Sequence, residues 1–288
     1  MRTGVIIATK GRPRAMSRLL KLLERQTLPP SIVLVSASDQ ADVERGIVSP
    51  LNLEFIFGSA GSCTQRNRGL DKIRSECDVV IFFDDDFVPS SDWIEQCTRI
   101  FDSDSGVVGV SGVLIRDGAK MEEIAWEEAN SLIEEGAPPG SPALFDCKDL
   151  YGCNMAFRMR AIGESRFDER LVLYGWMEDA DFSRTVGRKG RLIKSGAMLG
   201  VHLGIKAGRI SEKRYGYSQV VNPWYLHKKG SLTAMEASSH IMRPLLMNAA
   251  KALRPEKHID RRGRFGGNII GLGHLLVGHC RPEGAGEL

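Results

Sequence analysis

Apolar residues of this chain fall first into short β-branched runs separated by stretches with helical spacing. Gly4 to Thr9 is one such run. It is closed by Lys10-Gly11-Arg12-Pro13, which predicts a buried strand ending in a loop. Arg14 to Gln26 carries Met16, Leu19, Leu20 and Leu23 at helical spacing and is broken by Pro29-Pro30. Ile32 to Val35 and Leu53 to Phe57 predict two more strands, and a Gly-Ser-Ala-Gly turn then leads into a helix from about Thr64 to Arg74. Val79 to Phe83 is a fourth apolar strand, and it runs directly into three aspartates. Strands alternating with helices at this spacing predict an α/β fold, a mostly parallel sheet covered on both faces. Loops at the carboxyl ends of such strands are where ligands bind.

Beyond this point the periodicity loosens. Asp92 to Phe101 predicts a helix, Val107 to Ile115 a strand, Met121 to Glu135 an acidic helix, and Pro138 to Pro142 a flexible loop. Tyr151 to Arg158 predicts a strand, Glu178 to Val186 a helix and Arg191 to Ser195 a strand. From about Ser231 the composition changes. Ile241, Leu245, Leu246, Ala249 and Leu253 share one helical face amid basic residues, and ordinary packing of that face onto the sheet is expected slightly ahead of contact with a membrane surface. The expected organisation is a main domain over 1–230, divided into halves at 1–115 and 116–230, followed by a helical basic extension over 231–288.

Composition narrows the function classes. With 42% hydrophobic and 26% charged residues the chain can bury a core, which excludes disorder. The apolar stretch Ile269 to Val277 is interrupted by Gly271, Gly273 and His274, and a spanning helix needs about 20 apolar residues, so none is expected. The opening residues pass straight into a strand pattern and predict no signal segment. Six scattered cysteines without a Cys-x-x-Cys pair argue against a disulfide scaffold or zinc ribbon and for reduced thiols in the cytoplasm. Net charge is +3, yet residues 181–288 hold 19 Lys/Arg against 7 Asp/Glu. An acidic front and a basic back are compatible with a cation site beside a surface that meets phosphates or anionic lipid, although a solvated basic tail is the plainer expectation.

Asp84-Asp85-Asp86 is the strongest chemical signal. Three adjacent carboxylates after five apolar residues repel one another unless a cation or hydrogen-bond donors offset the cost. Hard divalent cations such as Mg2+ and Mn2+ take oxygen ligands of this kind, often shared with a substrate phosphate. Glu178 and Asp179 are placed to open a helix, where capping and general-base chemistry are both open to them. His202 follows a predicted strand and is a candidate third metal ligand beside Asp86, against the plainer expectation of a structural histidine.

Taken together, these segments resemble the family 2 glycosyltransferases. Val5 to Pro13 looks like their opening strand and loop, Gln65-Arg66-Asn67-Arg68-Gly69-Leu70 their Arg-Asn-x-Gly helix, and Phe83-Asp84-Asp85-Asp86 their DxD motif. Gly152 to Arg158 resembles their donor-sugar strand, Glu178-Asp179-x-Asp181-Phe182 their Glu-Asp motif, and His202 falls where they carry a late metal-binding histidine. The matches run in the family's order over roughly residues 3–205. The resemblance implies a GT-A fold and a divalent metal, Mn2+ or Mg2+. It implies a nucleotide-sugar donor, UDP by family default, and an inverting single displacement onto a glycan or lipid-linked saccharide, as in bacterial polysaccharide or glycoconjugate synthesis. Thr9, Arg12, Asp39, Arg66, Asp84 and Asp85 would then bind the nucleotide side, with Asp84 on the ribose and Asp39 beside the base. Asn154 would border the donor sugar, Asp86 and His202 would hold the metal, Asp179 would deprotonate the acceptor and Glu178 would orient it. The chain departs from the family at Ser36-Ala37-Ser38-Asp39-Gln40, where many relatives carry Asp-Asp-Gly-Ser. A nucleotidyltransferase and a non-catalytic sugar- or nucleotide-binding subunit are the alternatives. The first calls for a Gly-rich phosphate loop after the first strand, and the second for loss of the metal or base residues. Nucleic acid is not among the expected partners.

Overall fold

A computed structural model describes residues 1–119, 122–136, 144–254, 256 and 259–288. Met121 and the loop expected at Pro138 to Pro142 lie outside the described residues, and the helix expected from Met121 begins only at Trp126, because Ala125 is extended. The chain divides into two compact units, the first of 1–60, 64–166 and 182–208, the second of 61–63, 167–181 and 209–288.

The first unit is built on one mixed sheet. Strands β1 (Thr3–Thr9), β2 (Ile32–Ala37), β3 (Leu53–Phe57) and β4 (Val79–Asp84) form a parallel half in the order β3-β2-β1-β4. In its register Ile6 lies opposite Leu34 on one side and Phe82 on the other. Nearly every residue of β1, β2 and β4 is buried, as a strand covered on both faces requires. Helix α1 (Pro13–Leu23) starts with proline at its first position and buries Met16, Leu19, Leu20 and Leu23, the residues at helical spacing in the sequence. Helix α2 (Ser62–Ile73) precedes β4.

The sheet continues through β5 (Phe87–Pro89), β6 (Val107–Asp117), β7 (Leu144–Asp146), β8 (Asn154–Arg158) and β9 (Arg191–His202). Its order beyond β4 is β8-β6-β9-β5, with β7 also on β9. β8 runs antiparallel to β4 and β6, β6 is parallel to β9, and β5 is antiparallel to β9. Helices α3 (Trp93–Ser103), α4 (Trp126–Glu135), α5 (Met159–Ile162) and α6 (Glu178–Gly187) fill the connections. One apolar cluster of the sheet gathers around Ile7, Ile81, Phe83, Trp93 and Val110, and another joins Val88 of β5 to Val201 of β9. Phe82 meets Phe157 and Phe182 edge-on at 6.3 and 6.2 Å. β9 extends to His202, well past the expected end at Ser195, because β5 pairs with its second half.

The second unit is helical: α7 (Glu212–Lys229), α8 (Ala234–Ala252) and α9 (Arg261–Leu276). Thr233 and Glu236 form a capping box at the start of α8, and Asp260 caps α9. α7 and α9 approach backbone to backbone: a Cβ on Gly216 would lie 2.0 Å from the Arg264 carbonyl oxygen, and one on Gly267 1.9 Å from that of Lys213. The single apolar face expected on α8 is divided. Ile241 is buried, whereas Leu246 and Leu253 are exposed, because a 3.6-residue period carries that wide stripe from the core side to the outer side.

Register in the sheet slips between Gly112 and Val113, where β6 crosses close to β9. A Cβ at Gly112 would fall 2.2 Å from the Met198 carbonyl oxygen and 2.8 Å from Trp93 Nε1. Gly112→Ala is therefore expected to lower unfolding free energy by about 1–3 kcal/mol through overpacking. Urea unfolding measures this, and an unchanged midpoint would show that the crossing can relax.

Candidate active site

Asp84 is the last residue of β4, and Asp85-Asp86 form the turn into β5. The apolar strand thus carries three carboxylates to the carboxyl end of the parallel half, where backbone pairing stops. Each carboxylate meets a cation, and Arg12 serves two of them. Asp84 Oδ1 accepts a hydrogen bond of 2.9 Å from Arg66 Nη2, which also donates to the Gly152 carbonyl at 3.1 Å. Asp85 accepts from Thr9 Oγ1 and Arg12 Nη1, both at 2.8 Å. Asp86 Oδ2 accepts from the Ile205 N–H at 2.8 Å and lies 3.2 Å from Arg12 Nη1, while its Oδ1 faces His202 Nε2 at 3.3 Å.

Pairing of β5 with β9 sets Phe87 opposite His202, and pairing of β6 with β9 sets Asp117 opposite the same residue. His202 Nδ1 donates to Asp117 Oδ1 at 3.0 Å, and Asp117 Oδ2 accepts from Tyr151 Oη at 3.0 Å. Burial alone would lower the His202 pKa, but the facing Asp86 and Asp117 carboxylates push it up to about 10. Burial works against ionisation of Asp86 as well. Its His202 and Arg12 neighbours and the Ile205 N–H outweigh that effect and hold it below the ordinary carboxylate range. Burial raises Asp85 instead, with the Arg12 charge opposing and the Asp86 charge reinforcing the shift.

Asp84, Asp86 and His202 offer ligand atoms that all lie within 4.8 Å of one another. Asp86 Oδ1 is buried and accepts no hydrogen bond. Two carboxylates and an imidazole with ligand atoms this close fit a hard or borderline divalent cation. Asp117 would then fix the tautomer of His202, leaving Nε2 as the donor atom.

The sequence profile of glycosyl transferase family 2 matches residues 4–164, more than half of the chain. The chain belongs to glycosyl transferase family 2. It is a glycosyltransferase, and its architecture is the GT-A fold. Crystal structures of S. aureus TarS resemble it at low identity. TarS 1–349 in complex with UDP-GlcNAc gives a TM-score of 0.55 at 15% identity, covering 96% of this chain and 81% of that one. TarS 1–349 alone gives 0.53 at 13%, covering 97% and 83%. A longer TarS structure gives 0.51 at 14%, and there this chain covers 88% of itself but only 44% of TarS. Comparison with curated proteins finds no significant match.

Within this family 2 chain, the first unit brings together Thr9, Arg12, Arg66, Asp84, Asp85, Asp86 and His202. Thr9 and Arg12, which the resemblance lays along the nucleotide, are bound to Asp85. Arg12 also donates to the carbonyls of Ile205 and Ala207, both at 2.6 Å. Asn154 starts β8 opposite Phe83, fully buried, with Oδ1 accepting no hydrogen bond. Asp39 is exposed and accepts from the Ala41 N–H at 2.8 Å. Glu178 and Asp179 belong to the second unit, where they open α6. The loop before them is strained: Leu173 and Met177 hold φ of 63° and 72°, a region that disfavours side chains. That loop is anchored by the Ser62 N–H on the Leu173 carbonyl at 2.9 Å and by Asn222 Nδ2 on the Trp176 carbonyl at 2.9 Å. Glu178 is buried and accepts from Ser62 Oγ at 3.4 Å.

Asp117, Tyr151 and Asp42 were not foreseen. Asp42 Oδ1 accepts from the Gly11 N–H at 2.6 Å, and Oδ2 accepts from Ser38 N–H, Ser38 Oγ and Asp39 N–H. It ties the loop after β1 to the loop after β2. Burial disfavours its charge, but the Ser38 hydroxyl and these N–H groups outweigh burial and hold its carboxyl below the usual range. A depressed folded pKa contributes stability above the unfolded value of about 4, and this is lost as pH falls through the folded pKa. Asp42→Asn is expected to cost about 1–3 kcal/mol at neutral pH, with the gap to wild type narrowing below about pH 4. Urea unfolding across that range checks it, and a gap independent of pH would remove the carboxylate charge as the cause.

Proposed function

We propose that this chain moves a sugar from a nucleotide-diphosphate sugar to a hydroxyl of a glycan or lipid-linked saccharide, in the cytoplasm, with inversion at the anomeric carbon. The observation that carries the proposal is the convergence of Asp84, Asp86 and His202 at the end of the parallel half of a family 2 chain. UDP is the nucleotide of choice, supported by the TarS structure solved with UDP-GlcNAc. Asp86 and His202, with Asp84 beside them, would hold Mn2+ or Mg2+. A cation bound there supplies charge neutralisation to the departing diphosphate.

The chain's own residues divide the remaining work. Arg66 holds Asp84 in place, and Arg12 and Thr9 hold Asp85, so the acidic turn is fixed before a ligand arrives. Thr9, Arg12, Asp39, Arg66, Asp84 and Asp85 line the nucleotide side in this proposal, and Asn154 borders the donor sugar. Asp179 takes the proton of the acceptor hydroxyl as it attacks, and Glu178 orients the acceptor.

Two measurements test this. Calorimetric titration with Mn2+, then with UDP-sugars, should show cation binding that Asp86→Ala and His202→Ala abolish and that Asp117→Asn weakens about 10–100-fold. Equal Mn2+ affinity in all four proteins would remove the cation from the proposal. Asp179→Asn should retain donor binding while sugar transfer falls about 100–10,000-fold. Unaltered turnover in that variant would remove Asp179 as the base.

A further inference from the structure

Helices α8 and α9 each present an apolar stripe that nothing in the second unit covers. On α8 it consists of Met235, Met242, Leu246 and Leu253, spaced 7, 4 and 7 residues apart, so all four lie on one side of the helix. Met235 and Leu253 are 81% and 84% exposed. On α9 it consists of Ile269 and Leu276, with Val277 just past the helix, and Leu276 is 84% exposed. Large apolar side chains at this density are not left in water without a partner surface.

Three arginines accompany the stripes. Arg243 and Arg254 of the α8 segment and Arg262 of α9 are exposed, and none makes an ion pair among the described residues. Arg262 donates to the Ala252 carbonyl at the end of α8 and so links the two stripes. Carboxylates of the same segment are engaged at helix starts or in ion pairs: Glu236 caps α8, the exposed Asp260 caps α9, and the half-buried Glu256 is held by Lys251 and Arg261. The exposed methionine, leucine and isoleucine are edged by arginine. A helix with that pattern lies in the plane of a bilayer interface, its apolar face in the acyl boundary and its arginines on lipid phosphates. α8, at 19 residues, runs about 28 Å along such a surface. No helix among the described residues is long and apolar enough to cross a membrane.

We infer that the α8–α9 face docks the protein flat on an anionic lipid surface. Binding is read without donor, acceptor or metal, so its outcome is separate from that of the sugar-transfer reaction. The test is flotation of the full chain with vesicles of phosphatidylcholine mixed with phosphatidylglycerol, and with vesicles of phosphatidylcholine alone. Wild type should float with the mixed vesicles, at least about tenfold more strongly than with the neutral ones, and added salt should weaken it. Leu246→Glu with Leu253→Glu should remove binding to both. Arg243→Gln with Arg254→Gln should weaken binding to the anionic vesicles about tenfold and leave the neutral ones unchanged. Thermal unfolding of each variant accompanies the assay, and the arginine pair carries the test if the leucine pair does not fold. Absence of flotation by wild type overturns the inference, as does flotation indifferent to both pairs. A dimer in light scattering that the leucine pair disperses, without vesicle binding, also overturns it and makes the face a contact between copies of this chain.

Discussion

Everything at the site depends on how three adjacent carboxylates, two of them buried, are kept from repelling one another. Asp85 and Asp86 are almost wholly withdrawn from solvent at the end of a strand whose other residues are apolar. Unpaired charge in such a place is costly enough to distort or neutralise the site. The chain answers with cations from three distant stretches: Arg12 after β1, Arg66 on α2 and His202 at the end of β9. These contacts also fix geometry. Arg12 reaches through the carboxylates to the carbonyls of Ile205 and Ala207, so the same guanidinium that offsets the charge pins the segment after β9 beside the loop after β1.

Compensation is incomplete at one atom. Asp86 Oδ1 accepts no hydrogen bond although it is buried, and the nearest positive group is His202. Other buried atoms share that state, Ser111 Oγ and Asn154 Oδ1 among them, so what distinguishes Asp86 is that its ligand atom and those of Asp84 and His202 all lie within 4.8 Å of one another. Asp117 and Tyr151 stand behind His202 in a chain of hydrogen bonds, which fixes the orientation of its ring. None of this is local in sequence. It arises because β5 and β6 both pair with β9, one from each side, and so converge on one histidine.

That distribution explains what could be read in advance. The parallel half was legible because its strands are buried on both faces and read as unbroken apolar runs, and because Pro13 and the leucines of α1 mark a helix unambiguously. The acidic turn was legible for the same reason: three carboxylates ending such a run have no structural excuse. Asp117 gave no signal, since it ends a strand among ordinary polar residues and matters only through its register with His202. α7 also escaped notice. Its buried face includes Ser218, Gln219, Asn222 and an internal Pro223 in place of a clean apolar stripe. Gln219, Asn248, Asn268 and Arg261 satisfy one another inside the bundle, and glycines on α7 and α9 replace large side chains at the contact. Periodicity of apolar residues cannot find a helix that packs through amides and glycines.

The two groups of carboxylates differ in environment. Asp84, Asp85 and Asp86 are clamped by guanidinium, hydroxyl and backbone donors. Asp179 is only partly buried, at the first turn of a helix entered through a loop that holds Leu173 and Met177 in a disfavoured backbone region. Such strain persists only where surrounding contacts over-determine it, here the anchors from Ser62 and Asn222. Asp179 Oδ1 accepts from the Ala180 N–H at 2.8 Å, so the strained entry to the helix and this first-turn contact together fix where the carboxylate lies.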